Sequence, residues 1–306
     1  KYHRASEMAL KLSQQNKMSQ KNATICSLFC FFLFSFPFLL AQDNNNSLNI
    51  KLRERVLIDK IQNKFQLNEK EVNWNLHKTA IIIIDMWDNH HCKSAARRVA
   101  EMAPHMNRVL KTARNKGVFI IHAPSDCMEH YKSTPQRKRA EKSLFIEANV
   151  SFKWNYFNPK KEGYLSPELE KEGCSCDTPE PCGPSYKAWN RQIETIDIHE
   201  TDAISDDGQE IYNLLEEKKI DNVIIMGVHT NRCVLGRPFG IRQMNYTDRN
   251  VVLCRDLTDS YHRDPGKHFA GLKLIIQHIE KYWCPTITSA SITKAPPFIF
   301  KEQDRR

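Results

Sequence analysis

No cluster of basic residues interleaved with aromatics occurs in this 306-residue chain. Without one, nucleic acid is not implied as a partner. Internal repeats are also missing, so no repeat architecture competes for the fold. Another gap is local: no Lys stands between Lys187 and Lys218. What remains is ordinary for a soluble protein, with 41% hydrophobic and 26% charged residues. The length suits one large α/β domain with appendages.

The N-terminus departs from that background. Residues 23–41 (ATICSLFCFFLFSFPFLLA) are strongly apolar, follow Lys17 and Lys21, and precede a polar stretch from Gln42 to Asn46. With Met18 as a start, this order reads as a secretory signal peptide cleaved near Ala41. The competing reading is a membrane anchor, since about 18 apolar residues barely span a bilayer. No Leu-x-x-Cys arrangement closes the run, which argues against a lipoprotein. Residues 1–17 lie upstream of Met18 and outside the expected natural start. Lys1, Arg4, Lys11, Lys17 and Lys21 against Glu7 give residues 1–42 a charge of +4, leaving +5 of the chain's +9 for the exported part. The expected location is periplasmic or extracellular, with membrane contact only through an uncleaved signal.

Two stretches carry the chemistry. Val223-Ile224-Ile225-Met226 is a short β-branched run that reads as a buried parallel strand ended by Gly227. Thr230 or Asn231 then caps a predicted helix carrying Val234, Leu235 and Ile241. Cys233 is placed at that helix's N-terminus, where free N–H groups and the helix dipole favour thiolate. The second stretch, Thr79 to Asp85 (TAIIIID), ends in a carboxylate. Ligands of parallel α/β sheets bind at the carboxyl ends of strands, so Asp85 and Cys233 can face one pocket.

The remaining periodicity predicts six strands alternating with helices. Strands fall at 79–85, 118–121, 202–204, 223–226, 250–254 and near Thr286. Helices fall at about 94–116, 208–219 and 265–283. Residues 48–58 read equally as a strand or an amphipathic helix. The expected fold is α/β: a doubly wound, six-stranded, mostly parallel sheet flanked by helices. Residues 43–75 form a linker and lead-in, and residues 76–306 the domain. Residues 123–198 break the pattern with Pro, Gly, aromatics and Cys, and read as an insertion over the pocket.

The IIIID strand and the GVHTNRCV turn resemble the isochorismatase-like superfamily, in particular its cysteine hydrolases such as nicotinamidase and N-carbamoylsarcosine amidase. The resemblance covers about residues 76–290. It implies that Asp85 is the acid/base and Cys233 the nucleophile attacking an amide-type carbonyl. It also implies a cis peptide at Val228–His229, with the backbone N–H groups of His229 and Cys233 as an oxyanion hole. The expected activity is C–N cleavage in a small amide or ureido substrate. No cofactor is required for it, and a homo-oligomer is left open. The alternatives are a non-catalytic or binding member of the fold, or isochorismatase-type vinyl-ether hydrolysis, against which Cys233 argues.

The resemblance also implies a Lys after the third strand, where this chain has Ser205-Asp206-Asp207-Gly208. A replacement cation is therefore expected near Cys233. Lys187 and Arg237 are the candidates, with a protonated His229 or His90 behind them. Trp87, Asp88 and His90 are further pocket candidates. Nicotinamidases bind a metal through Asp and His after the second strand; Asp126 and His130 occupy that region here with different spacing, so a divalent metal is disfavoured. Cys174, Cys176 and Cys182 crowd the loop GCSCDTPEPCGP. A zinc site needs a fourth ligand, and a local disulfide such as Cys174–Cys182 is the preferred reading.

Overall fold

The computed structural model describes residues 46–163, 173, 174, 176, 182–263 and 267–304. The predicted signal peptide lies outside the described residues. Among the described residues no helix is long and apolar enough to cross a membrane.

Among the described residues eight strands form one sheet: β1 (Ser47–Asp59), β2 (Lys64–Asn75), β3 (Thr79–Ile84), β4 (Phe119–Ala123), β5 (Ala203–Ile204), β6 (Asn222–Val228), β7 (Asn250–Asp259) and β8 (Thr286–Ile287). Their order is β2-β1-β8-β7-β6-β3-β4-β5. The six from β8 to β5 are parallel and doubly wound. Six predicted strands thus become eight, because β1 and β2 pair as an antiparallel hairpin and β1 meets β8 at Arg53–Thr286. Leu48, Ile50 and Leu52 alternate inward along β1, which decides for strand over helix in residues 48–58. The stretch assigned to a lead-in therefore supplies two strands. β2 leaves most of its side chains exposed, so it carries almost no apolar periodicity to read.

The isoleucines of β3 explain the layers. Ile82 and Ile84 point to one face, with residues of the helices Gly208–Glu217 and His268–Tyr282; Ile81 and Ile83 point to the other, with residues of the helix Lys93–Asn115. All four are fully buried, and each such side chain contributes about 1.5–3 kcal/mol of transfer free energy. We call these helices α1 (Lys93–Asn115), α2 (Gly208–Glu217) and α3 (His268–Tyr282). α1 stops at Gly117, whose φ of +89° only glycine adopts freely. Asp207 caps α2 by accepting the Glu210 N–H at 2.9 Å.

The winding reverses between β3 and β6, which are adjacent although their helices leave on opposite sides. Such a switch point opens a crevice at the strands' carboxyl ends. Gly227 allows the closest approach there: with φ +115°, a Cβ would stand 2.0 Å from the Ile84 carbonyl oxygen.

Candidate active site

Asp85 is the first residue after β3, fully buried, with φ +50°. Its Oδ1 accepts the Ser125 N–H at 2.8 Å and its Oδ2 accepts Arg237 Nε at 3.1 Å. The neighbouring strand β6 ends in a cis Val228–His229 peptide. The turn beyond it is pinned by Thr230, whose N–H donates to the Asp259 carbonyl and whose hydroxyl pairs with Thr258. Cys233 follows, 7% exposed, hydrogen-bonded to the Asp85 carboxylate and approached by the backbone N–H of His229.

The helix that was predicted to run from Cys233 through Ile241 is two single turns, Cys233–Gly236 and Ile241–Met244. Its N-cap residue is Arg232, not Thr230 or Asn231, and makes no side-chain cap bond. Pro238 is the cause. It disfavours helical geometry in the residue before it, and Arg237 is extended at φ −59°, ψ 155°. That break carries the Arg237 side chain to Asp85 instead of along a helix.

The electrostatics follow from burial. Burial raises the Asp85 pKa, opposed by Arg237 and by hydrogen bonds from Cys233 and Ser125. Burial also pushes the Cys233 thiol up, reinforced by the Asp85 charge and only partly offset by Arg237. The thiolate expected from a helix N-terminus is therefore replaced by a neutral thiol, because a single helical turn offers little dipole. Burial disfavours charge on Arg237, but Asp85, Cys233 and Asp126 outweigh it and its pKa is raised.

The position implied for Lys holds two carboxyl side chains instead. Asp206 accepts the Asp126 N–H at 2.8 Å, and Asp207 caps α2. Lys187 donates to the Asp126 carbonyl, whereas Arg237 pairs with Asp85. Protonated histidine is not available near neutral pH: burial lowers His229 well below its usual value, and burial with His91 and Arg232 lowers His90 to about 4.

A cavity of about 320 Å³ opens onto Cys233. Trp87, Trp154, Trp189 and Tyr261 wall it, and His90, His229, Asp126 and Arg237 give it polarity. Trp87 stacks on Trp189 with centroids 4.0 Å apart, and Trp87 Nε1 donates to the Ser125 carbonyl. Arg237 lies 5.5 Å from the Trp154 ring centroid. Asp88 is a strut rather than a wall: it accepts the Asn190 and Arg191 N–H groups. Cavities around Tyr212 and Arg249, and around Phe269 and Phe300, contain neither Asp85 nor a cysteine.

Asp126 reaches the rim, 3.8 Å from Arg237. His130 is exposed and packs on Tyr131. Among the described residues these two belong to no group of three or more His, Cys, Asp or Glu close enough to share an ion. Trp154, Trp189 and Tyr261 were not anticipated; the first two lie in the unpatterned insertion. The insertion is bound to the site by Asn155 N–H to Gly236 O and Ile193 N–H to Met86 O. Cys174 and Cys182 are free, as is every described cysteine, so the predicted disulfide is absent.

No protein-family model matches this sequence, and no curated protein matches it. Solved structures do. A cysteine hydrolase from Pseudomonas syringae pv. phaseolicola has 14% identity and TM-score 0.43, covering 72% of this chain and 93% of its own. An isochorismatase family protein from Burkholderia thailandensis has 10% identity and TM-score 0.40, covering 71% and 95%. N-carbamoylsarcosine amidase from Thermoplasma acidophilum has 12% identity and TM-score 0.37, covering 69% and 96%.

Proposed function

We propose that this chain is an isochorismatase-like cysteine hydrolase that cleaves a C–N bond in a small amide or ureido compound. The observation that carries the reading is the shared carboxylate: Asp85 accepts from Arg237 Nε at 3.1 Å and is hydrogen-bonded to the Cys233 thiol. Arg237 takes the part that the resemblance implies for Lys, reaching Asp85 from the loop after a different strand. Its guanidinium stays charged in a buried site, which suits a permanent counter-ion.

In this mechanism the neutral thiol transfers its proton to Asp85 as sulfur attacks the carbonyl carbon. Burial raises the proton affinity of Asp85, making it a stronger base than a solvated carboxylate. The tetrahedral intermediate places its oxyanion against backbone N–H groups of the His229–Cys233 turn. Asp85 then returns the proton to the departing nitrogen, the C–N bond breaks, and a thioester to Cys233 remains. Water, deprotonated by Asp85, attacks the thioester carbonyl, and the proton returns to the thiol as the acid leaves. Arg237 opposes the effect of burial on Asp85 and favours its ionised form between these steps. A cavity of about 320 Å³ suits a small ligand, and its aromatic walls suit a flat one.

The raised thiol pKa favours a second reading, a binding protein of the same fold with an inert Cys233. A panel of small amides and ureido compounds separates the two. The hydrolase reading expects turnover that Cys233→Ala abolishes and Asp85→Asn lowers by at least ~10², with the fold retained. Full turnover in Cys233→Ala overturns the covalent route. Export is a separate proposal, resting on the apolar run of residues 23–41. Expression in a bacterial host should give a mature N-terminus near Gln42, and an intact 18–41 segment on the folded protein contradicts it.

A further inference from the structure

Four cysteines meet at the N-terminal end of α1, outside the machinery described above. Cys92 is the residue just before that helix. The other three come from the insertion, Cys176 lying 84 residues further along the chain. The four Sγ atoms all lie within 4.8 Å of one another. The Cys176 sulfur is central, at 2.7 Å from Cys182, 3.2 Å from Cys174 and 3.6 Å from Cys92. All four are free thiols. The loop sequence alone offered three ligands; folding brings the fourth from a residue seven positions after Asp85.

Tetrahedral zinc with sulfur ligands at about 2.3 Å sets its sulfurs roughly 3.8 Å apart. Four sulfurs gathered from two distant segments lie within 4.8 Å of one another, so one ion can reach all four, and the three spacings about Cys176, 2.7–3.6 Å, would open toward that value on binding. The donor set is soft and contains no carboxylate, which selects zinc over magnesium or calcium. With four protein ligands no position stays open for substrate, so the site is structural rather than catalytic. Its surroundings fit an anionic complex. The sulfurs sit at the start of a 23-residue helix, and the Ser94 backbone N–H is directed at Cys176.

The location gives the ion a purpose. Gly173 N–H donates to the Tyr261 carbonyl, and the Tyr261 hydroxyl pairs with His91, the neighbour of Cys92, at 2.8 Å. Tyr261 walls the Cys233 cavity and is gripped through both its N–H and its carbonyl by the Asn231 side chain. A metal at the cysteines therefore fastens the insertion to α1 and to the rim of the cavity, three residues from Ser185 on the wall.

We propose that Cys92, Cys174, Cys176 and Cys182 bind one structural zinc ion as four thiolates. Four thiol protons go to solvent as four Zn–S bonds form; no electron is transferred. The inference does not depend on hydrolysis and is tested without it. Full-length chain purified under reducing conditions should contain one zinc per chain by elemental analysis. At equal charge its native mass should exceed that of the apo chain by one zinc less two protons, the exchange a divalent ion imposes. Alkylation with peptide mapping should protect these four thiols together until a chelator is added. Cobalt in place of zinc should give the intense sulfur-to-metal charge-transfer and red d–d bands of tetrahedral thiolate. Cys92→Ser and Cys176→Ser should each lose the zinc, while Cys284→Ser keeps it. If the serine variants do not fold, the cobalt spectrum and the protection map of the unaltered chain decide. Failure to take up zinc, disulfides among the four in the zinc-treated reduced protein, or weak octahedral cobalt bands overturn the assignment. So does zinc that survives Cys176→Ser and leaves on Asp126→Ala.

Discussion

Replacing Arg237 by Gln removes the only positive charge bonded to the Asp85 carboxylate among the described residues. At 3.1 Å, an effective dielectric near 20 gives an attraction of about 5 kcal/mol. Measured losses on breaking buried pairs are about 3–5 kcal/mol. Without that attraction, burial raises the Asp85 pKa with less to oppose it. The acid then holds its proton to higher pH and accepts the thiol proton less readily. Arg237→Gln should therefore move the acid limb of the kcat/KM profile to higher pH and lower turnover at pH 7 by ~10² or more. Arg237→Lys keeps the charge while losing the fork, and should stay within ~10-fold. Stability carries a sign as well. A carboxyl whose folded pKa is raised keeps its stability contribution below the unfolded pKa and loses it as pH rises through the folded one. Arg237→Gln should thus be most destabilised at neutral pH and recover toward wild type in acid. Urea titrations at pH 7 and pH 4 alongside the rate profile read both effects. A variant whose acid limb and pH-stability curve superimpose on wild type refutes the role given to Arg237.

Gly227→Ala should destabilise by about 3 kcal/mol or more in denaturant titration, since its Cβ meets the Ile84 carbonyl oxygen at 2.0 Å at φ +115°. Glu162 is buried; burial opposes its charge, yet hydrogen bonds from His278 and Arg242 hold it at about 2. Being depressed, it contributes on the order of 3 kcal/mol that is present above pH ~4.5 and lost as pH falls toward 2; Glu162→Gln should flatten that part of the stability curve. Trp189→Ala unstacks Trp87 at the cavity wall and should raise KM by roughly 10-fold with a smaller change in kcat, at about 1–1.5 kcal/mol of lost ring contact. Alkylation of Cys233 in the free protein should stay slow below pH 9, because burial and Asp85 keep it a thiol; rapid labelling at pH 6 contradicts that protonation state.

The buried parallel strands were legible because TAIIIID and NVIIMGV are apolar without interruption, as strands covered on both faces must be. Asp85 was legible because it closes such a run, and Cys233 because it opens the helical turn that follows one. The hairpin partner β2 was not, since its polar residues face solvent and leave no period. Arg237 was one candidate among several. Only Pro238, through its effect on the preceding residue, signalled that the helix would break and release that side chain. The aromatic walls came from a segment whose path is set by tertiary bonds such as Ile193 N–H to Met86 O, not by local pattern. The cysteine cluster stayed hidden because its fourth member belongs to the turn after β3, 84 residues from Cys176.

The covalent step is tested most directly by rapid-quench mass spectrometry of the protein mixed with an activated small amide or ester. The account predicts a transient mass increase equal to the acyl group, mapped to the peptide containing Cys233 and absent from Cys233→Ala. It should accumulate longer in Asp85→Asn if acylation still occurs, because water then lacks its base. Turnover by the wild-type chain with no adduct on Cys233 at any quench time, matched by equal turnover in Cys233→Ala, contradicts the account.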